Sequence, residues 1–353
     1  MKFAVKTKSL LIGLCAVGAA FLLPTLAQAS VVGVCSDCHT MHNSQDGDDM
    51  GSGPYKQLLK DNCWQCHADD DASQPSSATE APQVGRSDFT EPTGGMLAGG
   101  YFDGVESHMH NVWDVDTADP DSLLGNADPP GWDGGVWNGF GTGKKMVGCS
   151  GTDFSYGCHR EGGHHANTDG VTDGSTVGAS FRFLSGITGR EDTDWELSNS
   201  STDHNQYLAT NDGSDQLGAT TNDTINALCG QCHGNFHTYN ATGNQDNAGS
   251  DWIRHPTDLD LSDVRAAVTT DYNNYTVYTV TVPVGSTTNG IKSNPSTVDD
   301  GIVLCISCHR PHGSPYDDLL RWDYNGMDAG TATAGVQNRG CFKCHDSKDN
   351  ADG

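Results

Sequence analysis

The sequence Cys-x-x-Cys-His occurs five times in this chain of 353 residues, and this repeat constrains the fold more than any other feature. The five copies occupy residues 35–39, 63–67, 229–233, 305–309 and 341–345. Such a motif attaches a c-type haem: two thiols bind one porphyrin, and the histidine ligates the iron. The copies use ten of the thirteen cysteines. Zinc binding would explain the cysteine pairs but not the histidine after every pair, so the sequence predicts covalent haem.

A sixth attachment site is predicted at Cys149 and Cys158, although its spacing is unusual. Cys158 is followed by His159, but the partner thiol lies nine residues upstream. Three arrangements fit the sequence: a haem held by both thiols across a stretched loop, a haem held by Cys158 alone, and a disulfide without haem, which an oxidising compartment permits. The first is favoured because the Cys-His pair recurs and because His164 and His165 follow closely.

The sequence therefore predicts six covalent haems c. The predicted thioether ligands are Cys35, Cys38, Cys63, Cys66, Cys149, Cys158, Cys229, Cys232, Cys305, Cys308, Cys341 and Cys344. The predicted proximal iron ligands are His39, His67, His159, His233, His309 and His345. Hydrophobic residues make up only 35% of the chain, so the porphyrins are expected to supply apolar mass that the side chains lack. Folding and haem attachment are expected to be coupled.

The first 29 residues have the pattern of a secretory signal. Three lysines precede an apolar run at 10–26, and small residues stand at 27 and 29. Cleavage after Ala29 removes the remaining cysteine, Cys15, and leaves one hexahaem domain at 30–353. No other apolar stretch approaches the roughly 20 residues that span a bilayer. The expected location is therefore extracellular or at the outer cell surface, with the periplasm as transit or alternative.

Regular secondary structure is predicted to be sparse. The expected fold is a multihaem c-type cytochrome that is mostly irregular, with short helices, including single turns at the haem sites, and a few short strands around a chain of stacked haems. Residues 275–282 (YTVYTVTV) alternate and favour a strand that ends before Pro283. Ser262 followed by DVRAAV predicts a short helix capped by that serine.

The chain is strongly acidic, with a net charge of −27. Such a charge disfavours binding to nucleic acid or to an anionic membrane surface. Two acidic clusters, Asp46 with Asp48 and Asp49, and residues 69–71, have oxygen ligands suited to calcium. Neither has the twelve-residue calcium-loop pattern, so solvated loops are the favoured interpretation and calcium is the alternative.

The second axial ligand of each iron decides the class of function. Beyond the six proximal ligands, nine histidines remain, which is enough to close six irons: His42, His108, His110, His164, His165, His204, His237, His255 and His312. An iron closed by two histidines has no position for a substrate, so this pattern predicts an electron carrier rather than an enzyme. Met41 and Met109 are less favoured alternative ligands.

Several local motifs occur in a recognisable order along the mature chain. They are CSDCHTMHNSQ, His110-Asn111-Val112, CHGNFH, Arg254-His255-Pro256, CHRPHG followed by Arg321, and CFKCHDSKD. In these motifs the chain resembles the filament-forming hexahaem outer-surface c-type cytochromes of metal-reducing bacteria. The intervening loops do not match visibly. The chain departs from the family at the third site, where the family has an ordinary Cys-x-x-Cys-His and this chain has six extra residues.

The resemblance implies a set of distal ligands and a mode of assembly. The implied distal ligands are His42, His110, His237, His255, His312 and either His164 or His165. By analogy, His42 ligates the fifth haem of the next subunit, here the one on Cys305, Cys308 and His309. Such a head-to-tail contact does not close on itself and generates an open filament.

The implied function is extracellular electron transfer by a homopolymer that exchanges electrons with redox partners or extracellular acceptors. A monomeric periplasmic or surface shuttle is the alternative. A multihaem reductase is less favoured, because it needs one open iron and the sequence has no Cys-x-x-Cys-Lys motif.

Overall fold

The described parts of the chain are dispersed between segments whose placement is not described. A computed structural model describes residues 34–50, 58–59, 63–67, 83–85, 99–102, 105–112, 130–131, 148–151, 157–160, 181, 184, 187–192, 196, 200–202, 204–210, 224–233, 236, 257–262, 275, 277–287, 301–327 and 340–345. The predicted signal at 1–29 lies outside these residues, and so does the acidic cluster at 69–71.

The helices are short, and most of them coincide with Cys-x-x-Cys-His motifs. The α-helices are α1 (Cys35–Cys38), α2 (Trp64–His67), α3 (Ile225–Gly230) and α4 (Cys305–Cys308). Short 3₁₀ helices span Glu106–His108, Asp317–Leu319, Tyr324–Gly326 and Gly340–Lys343. All five ordinary motifs therefore contain a helical turn, as predicted. A single turn suits haem attachment because residues three apart lie on the same face of a helix.

The strands form four separate two-stranded sheets. They are β1 (Ser44–Gln45) with β2 (Asp48–Asp49), β3 (Gly148–Gly151) with β4 (Gly157–Arg160), β5 (Gly189–Arg190) with β6 (Gln206–Tyr207), and β7 (Val284–Gly285) with β8 (Ile302–Val303). The β3–β4 pair is parallel and the other three are antiparallel. The predicted fold class, mostly irregular with short helices and strands, is confirmed in these residues.

Two apolar clusters surround the fourth to sixth attachment sites. The first joins the start of α3 to α4 and contains Phe181, Ile187, Tyr207, Ala209, Ile225, Ile302, Leu304 and Ile306. The second lies beside it and contains Leu261, Tyr275, Tyr278, Val280, Val282, Val284 and Val303. Adjacent residues of β8 and of the segment that follows it alternate between the clusters, because successive side chains of a strand point to opposite faces.

The predicted strand at 275–282 is wrong for the residues that the structure describes. Val282 donates its backbone N–H to Thr279 O at 3.2 Å, which closes a turn, and the strand begins only after Pro283, as β7. The alternation of burial is nevertheless real: Val280 and Val282 are buried, and Thr281 is exposed. The apolar pattern therefore identified the buried side chains, but the backbone satisfies its hydrogen bonds locally instead of in a ladder.

The predicted helix cap at Ser262 is also wrong. Leu261 and Ser262 are already helical, and the backbone N–H of Ser262 donates to Asp260 Oδ1 at 2.7 Å. This bond is the one that an N-cap side chain makes two residues into the helix. Asp260 is therefore the cap, and the DVRAAV segment lies outside the described residues.

Gly100 lies in the segment that precedes the 3₁₀ helix Glu106–His108. At this residue the segment contacts the loop that follows the fifth site. Its φ is +72°, and a Cβ there would collide with Gly313 O and approach Arg310 Cβ to 2.8 Å. We expect Gly100→Ala to destabilise the protein by about 1–3 kcal/mol from backbone strain alone, with the steric clash adding to this. Thermal unfolding measures the loss. Gly47→Ala is the matched control, because its φ of +93° carries similar strain but no atom lies within 4 Å; equal losses in both variants would contradict the clash.

Candidate functional site

The five ordinary attachment motifs share one backbone hydrogen bond. In each, the N–H of the proximal histidine donates to the carbonyl of the first cysteine of its motif. The distances are 2.8 Å for His39, 3.2 Å for His67, 3.0 Å for His233, 3.1 Å for His309 and 2.9 Å for His345. This bond fixes each histidine at the end of the turn that carries the thiols. The five motifs are therefore alike in backbone geometry as well as in sequence.

The third site reaches a similar juxtaposition with strands instead of a helix. In the β3–β4 ladder, Gly148 pairs with Gly157 and Ser150 pairs with His159. Cys149 and Cys158 consequently lie opposite each other on neighbouring strands, which are about 4.8 Å apart in any sheet. Neither cysteine forms a disulfide in the structure. Cys149 and Cys158 are farther apart in the sequence than the cysteines of an ordinary motif, but the fold brings their thiols close together.

Two pairs of histidine rings face each other across a gap of the width of a metal centre. The ring centroids of His110 and His233 are 6.1 Å apart, and those of His159 and His312 are 5.9 Å apart. Two imidazoles on opposite sides of one metal, each with a metal–nitrogen bond of about 2 Å, have centroids about 6 Å apart. Each pair joins a predicted proximal ligand to a predicted distal one. The ring of His110 thus lies beside the fourth site and that of His312 beside the third.

Four of the predicted axial ligands share a hydrogen bond from Nδ1 to a backbone carbonyl, and the spare His204 makes the same kind of bond to Asn205 O at 2.6 Å. The pairs are His110 with Pro311 O (2.5 Å), His233 with Pro130 O (2.6 Å), His309 with Asp318 O (2.7 Å) and His312 with Gly100 O (3.2 Å). A neutral imidazole that donates from Nδ1 keeps the lone pair on Nε2. This is the usual arrangement of metal-ligating histidines, because the second bond fixes both the tautomer and the ring orientation.

The same four histidines are held neutral. Burial lowers the pKa of His233 to about 4 and that of His312 to about 3, and it also lowers the pKa of His110 and His309. His110 and His309 retain accessible surface, although protein surrounds both closely enough to desolvate them. A histidine must be neutral to bind iron, so these rings are ready to ligate at pH 7.

The thiols of the third to sixth sites lie in series. Cys158 is beside Cys229 and Cys232, and the thiol of Cys305 hydrogen-bonds to that of Cys229. Cys308 in turn lies near Cys341. Burial raises the pKa of Cys158 and Cys308 to about 11 and that of Cys232 to about 12. Each attachment site therefore adjoins the next one along the chain, with the thiols protonated.

Phe102 extends this series to the second site. Its ring is 5.8 Å from that of Trp64, which lies inside the second motif, and 5.4 Å from that of His312. Phe102 belongs to a third apolar cluster with Met109 and Val112. Met109 is buried in this cluster, an apolar environment that accounts for its side chain without iron ligation.

The first site lies at an exposed corner. His42 lies four residues after the end of α1, has a φ of 55°, and is exposed. Its neighbour Met41 has 69% of its side chain accessible. Thr40 anchors this segment, since its backbone N–H donates to Leu58 O at 2.7 Å. The chain therefore presents the His42 side chain outward from a fixed backbone.

Two of the remaining histidines lie away from the ring pairs. His204 is buried and stacks on Tyr278, with centroids 3.4 Å apart. His108 Nε2 lies 3.5 Å from Asp317 Oδ1. Both are the spares that the family resemblance implied. The candidate ligands His164, His165, His237 and His255 lie outside the described residues, as does the side chain of Cys66.

The calcium alternative has no support at the acidic hairpin. Asp46, Asp48 and Asp49 are exposed around the β1–β2 turn. In the described part of the chain, no group of three or more His, Cys, Asp or Glu side chains has the geometry to hold a metal ion.

Sequence reasoning missed a buried polar contact between the fourth and fifth sites. Asn226 lies three residues before Cys229, and its Oδ1 accepts the backbone N–H of Cys305 at 2.8 Å. Asparagine in a short apolar helix is an unusual choice, and that composition was the only signal of this role.

Comparison with known proteins agrees with the motifs. Residues 295–350, which include the fifth and sixth sites, match a family model described as "Doubled CXXCH motif". The chain is similar to the Outer Membrane Cytochrome S filament from Geobacter sulfurreducens, with 19% identity over 86% of this chain and 87% of that one, and a TM-score of 0.47. A structure of OmcS nanowires from the same organism shows 18% identity over 90% and 94% of the two chains, with a TM-score of 0.42.

The predicted resemblance is confirmed. The doubled motif supports covalent haem c at the sites it covers. Among curated proteins, the comparison finds no match. In the residues that the structure describes, no helix has both the length and the apolar character needed to cross a membrane.

Proposed function

We propose that this protein is a hexahaem c-type cytochrome that carries electrons outside the cell and polymerises head to tail into filaments. The observation that carries the electron-transfer role is the spacing of the two histidine pairs, 6.1 Å and 5.9 Å between centroids. Haem iron closed on both sides by imidazole exchanges electrons and has no position for a substrate. The thioether ligands of the six haems are the twelve cysteines from Cys35 to Cys344, and Cys149 and Cys158 both attach the third.

Residues of the chain orient the proposed axial ligands and place consecutive sites close enough for this electron transfer. Backbone carbonyls orient the axial imidazoles through Nδ1, and the cysteines of consecutive sites lie next to one another. Electrons therefore pass along the sites in their sequence order, from the second to the sixth. Methionine ligation is not part of the proposal.

The proposed polymerisation depends on His42, whose exposed side chain is available to a neighbouring subunit. We assign His42 as the distal ligand of the fifth haem in the next subunit, opposite the partner's His309. Two observations support this role: the His42 side chain is exposed, and the backbone hydrogen bond from Thr40 to Leu58 anchors the segment that carries it. His237, His255 and either His164 or His165 complete the proposed distal set. Export by the signal at 1–29 places the single domain 30–353 at the cell surface or beyond it.

The alternative is a monomeric electron shuttle in the periplasm or at the cell surface, with the same closed irons but without the His42 contact. A multihaem reductase is less favoured because it requires one open iron. Electron microscopy of the purified protein separates filament from shuttle.

Intact-mass measurement tests the haem count. We expect the mature protein to have the mass of the chain from Ser30 plus six haems, because the β3–β4 register brings Cys149 and Cys158 together. A five-haem mass that is also two hydrogen atoms lighter than the free thiols require would show a Cys149–Cys158 disulfide and no third haem. Alkylation of the denatured six-haem protein separates the two modes of attachment: no free thiol indicates attachment by both cysteines, and one alkylated thiol at Cys149 indicates attachment by Cys158 alone.

A further inference from the structure

Asn226 makes three hydrogen bonds in the interior of the protein. Its side chain is 0% exposed. Oδ1 accepts the backbone N–H of Cys305 at 2.8 Å, and Nδ2 donates to Asp258 Oδ1 at 2.8 Å and to Val303 O at 3.4 Å. Both amide hydrogens and the amide oxygen are therefore used. A buried polar group with all its bonds satisfied specifies one geometry, because any shift leaves a desolvated group without a partner.

The two ends of this contact belong to different attachment sites. Asn226 lies in α3, which carries Cys229 of the fourth site, whereas Cys305 is the first residue of α4 and the first thioether ligand of the fifth. The sulfur atoms of Cys229 and Cys305 also lie close together. The side chain of Asn226 thus ties the two attachment turns together at the points where the porphyrins are bound.

Apolar packing alone does not fix this relationship. Ile225 of α3 and Leu304 and Ile306 around α4 share one cluster, but apolar contacts are non-directional and permit one helix to slide on another. An aliphatic residue of similar volume at 226 would fill the same space. The chain instead buries an amide against the carboxylate of Asp258, itself only 2% exposed. Burial of the amide and the carboxylate costs free energy unless both groups form their hydrogen bonds.

Asp258 completes the bridge from a third segment. Its backbone N–H donates to Val303 O at 2.9 Å, the same carbonyl that receives Asn226 Nδ2. Residues 258 and 303 are therefore fixed to each other independently of Asn226. The amide of Asn226 fits into this preformed acceptor pair, and its oxygen aims at the start of α4.

We infer that Asn226 is a positioning residue that fixes the separation and orientation of the fourth and fifth haems, and thereby the rate at which electrons pass between them. This inference rests on the proposed function, which places a haem at each of these sites. Transfer between haems falls steeply with distance, so a small movement of α4 relative to α3 has a large effect on it.

The test exchanges the two partner groups. Asn226→Asp places a carboxylate against that of Asp258, and the two like charges repel. The double variant Asn226→Asp with Asp258→Asn restores one amide and one carboxylate in reversed order. Asn205→Asp is the matched control, because the Asn205 side chain also accepts a backbone N–H, that of Asp192 at 2.8 Å, but lies between β5 and β6, outside the attachment motifs.

The readout is circular dichroism of the Soret band, whose paired positive and negative lobes report the distance and angle between neighbouring haems. We expect Asn226→Asp to retain six haems and a low-spin spectrum but to lose part of this couplet and to slow electron exchange between haems. The double variant is expected to recover both, and the control is expected to match the wild type. A role in stability alone would change the unfolding temperature without changing the couplet.

A wild-type couplet in haem-loaded Asn226→Asp would overturn the inference. If that variant is not recovered, the double variant decides: a wild-type couplet supports the inference and an altered couplet refutes it. Hydrogen exchange in the wild type is a second measurement, in which the Cys305 amide must be among the most protected; rapid exchange would show that the contact with Asn226 is absent. Intact mass separates these results from failure of the proposed function, which would appear as missing haem at the fourth or fifth site in the wild type.

Discussion

Replacing His110 by alanine is expected to open the iron of the fourth haem while leaving the other five closed. His110 is the ring that faces His233 at 6.1 Å, and its Nδ1 is held by Pro311 O. Without it, the fourth iron has one protein ligand and becomes high-spin. Electron paramagnetic resonance of the oxidised protein should show a new high-spin signal for about one iron in six, and the reduced protein should bind carbon monoxide in the same proportion.

His108→Ala is the matched control for this experiment. His108 is two residues away on the same segment, and its Nε2 lies 3.5 Å from Asp317 Oδ1. The control should retain six low-spin irons. High-spin iron in the His108 variant, or none in the His110 variant, would contradict the pairing and leave the fourth iron with another distal ligand. An appreciable high-spin signal in the wild type would instead favour the reductase alternative.

Replacing His42 by alanine is expected to abolish long filaments. In the proposed assembly His42 closes the fifth iron of the next subunit, so its loss removes the ligand and the interface contact together. Micrographs should show monomers or short oligomers. The fifth haem should become five-coordinate, and the fourth should remain closed, because His110 is supplied by the same chain. The signature is thus high-spin iron in one haem of six together with loss of assembly.

Met41→Ala distinguishes ligation from a surface contact in that experiment. Met41 precedes His42 and is more exposed than most apolar residues of the chain, at 69%. It should form filaments with six low-spin haems if His42 is the ligand. Full-length filaments with six low-spin haems in the His42 variant would show that ligation and polymerisation are not linked through this residue. Loss of filaments in both variants, with low-spin iron retained, would indicate an apolar interface in place of a ligand.

Local sequence was sufficient to predict the attachment turns. Two cysteines three apart with a histidine next determine a helical turn closed by the histidine N–H, and the bond recurs at all five motifs with nearly the same length. The resemblance in motif order was likewise visible from residues alone. The local pattern did not predict whether the backbone forms its hydrogen bonds within a turn or with a neighbouring strand. The alternation at 275–282 identified the buried valines, but a turn at Thr279 satisfies the backbone that a strand would have satisfied in a ladder.

The sequence by itself predicted where haem is attached and which histidines are proximal, because those residues are adjacent in the chain. Only the tertiary structure decided the partners across space. The ring centroid of His110 lies 6.1 Å from that of His233, whereas His204 stacks on Tyr278 in the core. Likewise, the pairing of β3 with β4 places Cys158 next to Cys149, nine positions upstream. Asn226 accepts the backbone N–H of Cys305, which is 79 residues away in the sequence. Distal ligation and site-to-site spacing depend on long-range contacts, and these arise from packing rather than from any local motif.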